Sequence, residues 1–288
     1  MVAILVRELR SYFHSITGFI FMGFFLLLSG IFFTLSNLMG NGNSDFRITL
    51  ANISFIFLIT IPILTMRLLS EESRQKTDQV LLTRPVSLLS IVLGKYLAAL
   101  VLFVLTLLVT VLYPILLDVV GLIVVSEVFG SYLGVFFLGC SFIAVGLFIS
   151  SLTDNQVIAA VATFSVLLVT WIIDWLQKGL PSDRASGIAF AALAVIAIAL
   201  YLYLNIRNIL ISVAAVVAGG VIVAAVYAAS PSSYDGLIVR ILKWISLLGR
   251  NQEFQRGILS MGAIVYYLCF SVAFLFLTIR VIEKRRWK

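Results

Sequence analysis

Long apolar runs alternate with short polar segments along almost the whole chain. Eight of the runs are each close to the roughly 20 residues that an α-helix needs to cross the hydrocarbon core of a bilayer. The pattern therefore predicts an all-α integral membrane protein with about eight transmembrane helices. Only residues 205–208 separate the sixth run from the seventh, so these two predict a tight helical hairpin. The runs cover residues 16–37, 48–68, 91–117, 129–150, 156–175, 187–204, 209–229 and 258–280.

Residues 1–15 precede the first run and predict an amphipathic helix. Arg7 and Arg10 share one face of the helical wheel with other polar residues, whereas leucines and aromatic residues share the other face. This arrangement favours a helix in the cytoplasmic membrane interface, with its arginines toward the lipid headgroups. A frayed basic N-terminus is the alternative. The run that follows is too long for the apolar part of a signal peptide, and we interpret it as a retained anchor.

The segment between the second and third runs is long and densely charged. Ser70 is placed to cap a helix whose first turn carries two glutamates, where negative charge suits the helix dipole. Pro85 disfavours helical backbone at the residue before it, so the helix ends there. Ser87 is placed to cap the helix that follows. We therefore predict a short helix over about 70–85 at the membrane surface.

The Lys and Arg residues orient the chain in the membrane. With both termini in the cytoplasm, 13 of the 20 Lys and Arg residues fall on the inner side and seven on the outer side. An excess of Lys and Arg in the inner loops is the usual bias of membrane proteins. The pattern thus predicts a multi-pass protein of the cell (cytoplasmic) membrane, with the short helix on the cytoplasmic side.

A second amphipathic segment lies on the predicted outer side, at about residues 236–248. Apolar residues nearly fill its helical wheel, and only Arg240, Lys243 and Ser246 interrupt them, at a spacing of three. This pattern predicts a re-entrant or interfacial helix on the outer face, with Trp244 at headgroup depth. The alternative is a buried helix that caps the bundle from outside.

Composition and missing motifs narrow the function. Hydrophobic residues make up 62% and charged residues 11% of the chain, which excludes a water-soluble domain. The basic residues cluster at the ends of apolar runs, which argues against nucleic-acid binding. The chain has no P-loop, HExxH or GxSxG motif, so it predicts neither an ATP site of its own nor an enzyme. One histidine and two cysteines within apolar runs predict no metal site, and we interpret the cysteines as core residues.

Three motifs carry a resemblance to a known family. The pattern EES-R-x-x-T-x-x-x-LLT-x-PVS at Glu71–Ser87, followed by GKY at Gly94–Tyr96, resembles the ABC-2 type permeases, in particular the gliding-motility-associated (Gld-type) branch. The stretch Phe254–Trp287 resembles the closing span and basic tail of that branch. The family has six spans, so the resemblance implies a transmembrane domain over 16–288 with an inserted hairpin at about 187–229.

The resemblance implies the permease subunit of an ABC transporter, an exporter, in which a separate ATPase dimer binds ATP and Mg. It also implies a second permease copy or a related permease, and it allows an auxiliary subunit with a large external domain. The short helix would be the coupling helix, which docks in a cleft of the ATPase. Its charged start would orient the docked helix, and its apolar end would bury area. The expected coupling residues are Glu71, Glu72, Arg74, Thr77, Val80, Leu81, Leu82 and Pro85.

Three alternatives stay open at this point. The charged segment can be a solvated loop with no docking role. The chain can be an ion-coupled secondary transporter, which would show inverted repeats and broken helices with polar ligands at the middle of the membrane. No clear internal repeat is present, and no ionisable residue lies near the middle of a run. The chain can also be the scaffold subunit of an ATPase-driven envelope complex whose external auxiliary protein docks on residues 236–248.

Overall fold

The computed structural model describes residues 1–39, 46–75, 87–118 and 124–286, without the side chains of Ile206, Pro231 and Arg286. The described residues are helical almost throughout, and no strand occurs among them. We number the α-helices of this described part in chain order. They are α1 (Val2–His14), α2 (Ile16–Phe33), α3 (Phe46–Thr65), α4 (Ser70–Gln75), α5 (Leu88–Thr110), α6 (Leu112–Asp118), α7 (Val125–Leu152), α8 (Gln156–Gly179), α9 (Arg184–Ile206), α10 (Ile209–Ala229), α11 (Leu237–Ile245), α12 (Leu247–Gln255) and α13 (Met261–Arg286).

Eight helical segments in the described ranges are long and apolar enough to cross a membrane. This result confirms the eight spans that the apolar runs predict. A π-helical turn (Thr34–Leu38) extends α2, and α3 continues through a turn into α4. The eight segments are Ile16–Leu38, Phe46–Gln75, Leu88–Asp118, Val125–Leu152, Gln156–Gly179, Arg184–Asn205, Ile209–Ala229 and Met261–Arg285.

The chain divides into two compact units. The first unit comprises Met1–Thr170 together with Leu247–Lys288, and the second unit comprises Trp171–Ser246. In the first unit, α7 is the central helix, and it packs against α3, α5, α12 and α13. The first unit also contains the predicted interfacial helix, which is α1.

Four phenylalanines form the centre of the first unit, one from each of α2, α3, α5 and α7. Phe57 lies 5.6 Å from Phe103 and 6.2 Å from both Phe25 and Phe142, measured between ring centroids. The rings of Phe57 and Phe103, and those of Phe57 and Phe142, meet edge to face, a geometry that aromatic pairs favour. All four side chains are buried. Four helices from separate parts of the chain therefore pack around one aromatic cluster.

One helix start and the two cysteines bear on the sequence predictions. Ser87 caps α5, because its side chain accepts a hydrogen bond from the backbone N–H of Ser90, and that prediction is confirmed. Of the two cysteines, Cys140 is buried and Cys269 is exposed. The interpretation of both cysteines as core residues is therefore wrong for Cys269, which lies on the outward face of α13.

In the second unit, α9 and α10 form the predicted hairpin. The turn between them uses Arg207 in the left-handed region (φ 53°), and the side chain of Asn208 then caps α10 by accepting from the N–H of Leu210. The two ends of the hairpin segment also meet, because the backbone N–H of Gly236 donates to the carbonyl of Ser182 at 3.0 Å. The hairpin is thus closed at both ends.

The amphipathic helix of the second unit, α11, is shorter than predicted. It ends at Ile245, and Ser246 is extended (φ −66°, ψ 120°), so the prediction of one helix to residue 248 is wrong. The hydroxyl of Ser246 donates to the Asp174 carboxylate at 3.3 Å, and Gln177 donates to the carbonyl of Leu242. The end of α11 is thus bonded to α8, while the carbonyl of Leu242 also keeps its helical hydrogen bond from the N–H of Ser246. No residue of α11 is buried. Its position in the membrane interface, or as a cap on the bundle, stays a prediction.

Candidate functional site

Helix α4 is the described part of the helix predicted over about 70–85. It begins at Ser70, as expected, but Ser70 does not cap it. The Ser70 hydroxyl instead donates back to the carbonyl of Met66, because α3 turns directly into α4 without an extended capping residue. Ser150 of α7 holds this junction, since its hydroxyl oxygen accepts from the N–H groups of Leu69 and Ser70, both at 3.1 Å.

The first glutamate of α4 forms a bidentate ion pair within its own segment. Arg67 donates from Nε and Nη2 to the two carboxylate oxygens of Glu71, at 2.8 and 2.9 Å. The third nitrogen of the guanidinium, Nη1, donates to the hydroxyl of Thr17 on α2 at 2.5 Å. The planar guanidinium matches a carboxylate in this side-by-side geometry. The pair therefore fixes the start of α4 against α2.

The second glutamate of α4 belongs to a ring of four charges. Glu72 Oε1 lies 3.0 Å from Lys95 Nζ of α5 and 3.0 Å from Arg7 Nη2 of α1. Glu8 Oε1, also on α1, lies 3.1 Å from the same Lys95 nitrogen and 2.9 Å from the same Arg7 nitrogen. Each cation thus bridges both carboxylates. We call Arg7, Glu8, Glu72 and Lys95 the charge ring.

Burial differs across the charge ring. The side chain of Lys95 is 2% exposed, Glu8 and Glu72 are 14% and 18% exposed, and Arg7 is 53% exposed. Its hydrogen bond to Glu8 raises the pKa of Arg7 above the ordinary arginine value, so Arg7 stays charged. A buried ammonium group needs compensating charge, and the two carboxylates supply it.

Helix α1 packs closely against α3 and α5 next to the charge ring. The buried hydroxyl of Tyr12 donates to the carbonyl of Leu64 at 3.0 Å, and burial raises the pKa of Tyr12, so this donor keeps its proton. On α5, a Cβ at Gly94 would lie 2.9 Å from a methyl carbon of Ile4. Glycine at this position therefore lets α1 approach α5 one residue before Lys95.

The end of α13 lies at the same end of the first unit as α4. Arg285 Nη1 donates to the Ser73 hydroxyl at 2.6 Å and to an Asp154 carboxylate oxygen at 3.2 Å, in the turn between α7 and α8. Arg47 and Glu127 pair at 3.1 Å near the starts of α3 and α7, at the other end. Helix α1, α4, the α7–α8 turn and the end of α13 therefore share one end of the first unit, which we call the α4 end.

The predicted coupling residues fall into two groups. Glu71 and Glu72 make the intrachain ion pairs above, and Arg74 is exposed at the surface of α4. The rest lie outside the described residues, and their role stays a prediction. These are Thr77, Val80, Leu81, Leu82 and Pro85.

The predicted interface residues are placed on two helices. On α1, Arg10 is exposed, whereas Arg7 contacts carboxylates in addition to its exposed surface. On α11, Arg240, Lys243 and Trp244 are all exposed, and Arg240 Nη2 lies 3.4 Å from the carbonyl of Asp235. Their contact with lipid headgroups stays a prediction.

Sequence reasoning missed Ser150 and Arg285 as partners of α4 and Glu8 as a member of the charge ring. It used Lys95 only as an inner-side charge and as part of the GKY motif. One signal could have indicated Lys95, because a lone cation inside an apolar run needs a buried partner. No group of three or more His, Cys, Asp or Glu residues in the described part of the chain could hold a metal ion. The α4 end is thus suited to contact and charge pairing.

The fold defines an all-α, multi-pass membrane protein. Residues 34–173 match the family model described as "ABC-2 family transporter protein". This match includes α3, α4, α5 and α7 and ends within α8, before the α9–α10 hairpin. It supports an ABC-2 type permease. No curated protein matches the chain.

Proposed function

We propose that this chain is the transmembrane permease subunit of an ABC transporter, and that a separate ATPase dimer, which binds ATP and Mg, drives it. The family match over residues 34–173 carries this proposal, because the matched part contains both α4 and the whole segment predicted to couple to the ATPase. A second copy of the chain or a related permease completes the transport path in the cell membrane. The motifs at 71–87 and 94–96 favour the gliding-motility-associated branch and export.

Docking of the ATPase is proposed for the α4 end. Helix α4 exposes Arg74 there, while Glu71 and Glu72 are engaged within the chain. Of the charged coupling residues in the described part, Arg74 is therefore the best placed to contact an ATPase. The apolar residues Val80, Leu81 and Leu82 would supply the buried area of the contact.

Co-purification tests the docking. The tagged chain is purified from its native membrane, and the P-loop ATPase in the complex is identified and assayed for ATP hydrolysis. We expect Arg74→Glu combined with Leu81→Asp to abolish the complex. Arg256→Glu is the control and should retain the complex, because Arg256 is an exposed cation beside Gly257, which approaches Glu127 at the other end of the first unit. A complex that survives the double variant unchanged would show that the ATPase does not dock on this segment.

Side-specific labelling tests the orientation. In a variant without Cys140 and Cys269, a cysteine at position 77 should react with a membrane-impermeant maleimide only from the cytoplasmic side. A cysteine at Asp118, at the end of α6, should react only from the outer side. Labelling of position 77 from outside would contradict both the orientation and the proposed coupling.

A further inference from the structure

The charge ring joins three helices that are separated in the chain. Arg7 and Glu8 belong to α1, Glu72 to α4, and Lys95 to α5. The four contacts between cation and carboxylate measure from 2.9 to 3.1 Å. The two positive and two negative charges alternate, so no charge in the ring lacks an opposite neighbour. Displacement of any one helix would separate at least one of these pairs.

Lys95 is the member of the charge ring that cannot move alone. It is almost completely buried, about 10 Å into α5 at 1.5 Å per residue, and its ammonium group reaches both carboxylates. In a site screened from water, a charge that loses its partner is strongly unfavourable. Separation of α4 from α5 would remove Glu72 and leave Glu8 as the single carboxylate for two cations, Lys95 and Arg7. The buried ammonium therefore holds α4 and α1 to α5 more firmly than a surface pair could.

The other ion pair of α4 differs from the charge ring in its burial and in the helices that it joins. Arg67 and Glu71 are both 29% exposed and lie four residues apart, so this pair stabilises the α3–α4 junction and its contact with α2. It does not involve α1 or α5. The two glutamates of α4 thus connect to different neighbours, although they are adjacent in the sequence.

We propose that the charge ring is the joint through which displacement of α4 reaches α1 and α5, and that Arg7, Glu8, Glu72 and Lys95 are positioning residues for transport. This inference rests on the proposed function, because the force on α4 comes from the ATPase. When the ATPase moves the coupling segment, α4, α1 and the third span move together, and the hydrogen bonds of Ser150 from α7 to the α3–α4 junction yield. Transport is then driven through side-chain contacts as well as through the backbone that follows α4.

Distance measurements on the complex with its ATPase test the joint. Spin labels at exposed positions Leu89 of α5 and Leu152 of α7 report the movement of α5 in the nucleotide-free complex and in the complex trapped with ATP and vanadate. We expect a change of the 89–152 distance in the otherwise wild-type chain. In the variant Glu8→Gln, Glu72→Gln, Lys95→Met, the cation that remains is Arg7, whose side chain is 53% exposed, so no buried charge loses its partner. The distance change should be lost in this variant while the complex still hydrolyses ATP.

The pair Arg47→Gln, Glu127→Gln is the matched control, because it removes a partly exposed ion pair between two helices at the other end of the first unit and leaves the charge ring intact. It should keep the distance change. If the triple variant shows the same distance change as the wild-type chain, the joint is disproved. If the triple variant does not accumulate, Glu72→Gln removes the one charge that α4 contributes to the ring, and an undiminished change in that variant overturns the proposal equally.

The two proposals fail in different ways. If the wild-type chain forms no complex with a P-loop ATPase, the proposed function fails and the joint fails with it. If the wild-type complex forms, hydrolyses ATP and shows the distance change, and the triple variant behaves identically, only the joint fails.

Discussion

Three glycines of α7 each admit a different neighbouring helix. A Cβ at Gly134 would lie 2.2 Å from an Asn251 side-chain oxygen of α12, and one at Gly139 would lie 2.5 Å from the Phe103 ring of α5. A Cβ at Gly146 would lie 2.2 Å from the Thr65 hydroxyl oxygen of α3. Small residues at helix contacts are the usual means by which membrane helices approach closely. The central position of α7 therefore depends on the absence of a side chain at each of these three glycines.

Gly146→Ala is expected to destabilise the protein by about 1–3 kcal/mol, because the buried, β-branched Thr65 has little freedom to move away from the new methyl group. The measurement is the midpoint of thermal unfolding in detergent. Gly23→Ala on α2 is the control, since no atom lies within 4 Å of its added Cβ, and it should be neutral or slightly stabilising. Equal midpoints for the two variants would contradict the packing role of Gly146.

At the α4 end, the sequence indicates which residues are able to form ion pairs, but it does not indicate their distant partners. A glutamate pair at a helix start and an arginine before it predict a local ion pair, and Arg67 with Glu71 forms one. The partners of Glu72 are 65 residues away on α1 and 23 residues away on α5. Helical periodicity gives no information on such distant partners, because it describes only one helix at a time.

At the scale of elements, α11 shows what periodicity can and cannot predict. The alternation of cations with apolar residues correctly predicts a helix whose Arg240 and Lys243 are exposed. At its end, Asp174 and Gln177 of α8 bond to Ser246 and to the carbonyl of Leu242, contacts on which periodicity gives no information. The next helix, α12, carries Leu247 and Leu248 as buried residues of the first unit. The segment predicted as one helix over about 236–248 therefore contains α11 and the start of α12.

Trp244 should lie at headgroup depth, because it is 70% exposed on a helix with apolar and cationic residues. In a variant with phenylalanine at positions 171, 175 and 287, its fluorescence should be quenched more by lipids brominated near the headgroup than by lipids brominated near the chain end. Quenching by neither lipid would indicate that α11 faces water or an external partner. An external partner on α11 would favour the scaffold alternative. In that case Arg240→Glu combined with Lys243→Glu should release the external partner.

At the scale of the whole molecule, the second unit has the form of an insertion. The family match ends at residue 173, and the hairpin α9–α10 follows it. Because the N–H of Gly236 bonds to the carbonyl of Ser182, the chain leaves and returns at nearly the same place. Two antiparallel spans cross the membrane in opposite directions. The chain after the hairpin therefore continues on the same side of the membrane as it would without the hairpin.

Deletion of residues 183–235, with Ser182 joined to Gly236, should therefore leave the first unit folded and the C-terminal tail on the cytoplasmic side. The measurements are a single symmetric peak in size-exclusion chromatography and the labelling of a cysteine at position 284 from the cytoplasmic side. Deletion of α9 alone is the control, because it removes an odd number of spans and should place the tail outside or prevent insertion. Aggregation of the 183–235 deletion would show that the first unit needs the hairpin to fold.

The sequence by itself determined the eight spans, the hairpin, and the amphipathic α1 and α11. Each of these follows from hydrophobic periodicity or span length, both of which act within one segment. The tertiary structure decided the charge ring, the aromatic centre of the first unit, the Ser150 contact and the end of α11. Each of these depends on which helix faces which, and that choice is made by side-chain packing between segments as far apart as Glu8 and Lys95, 87 residues apart in the chain.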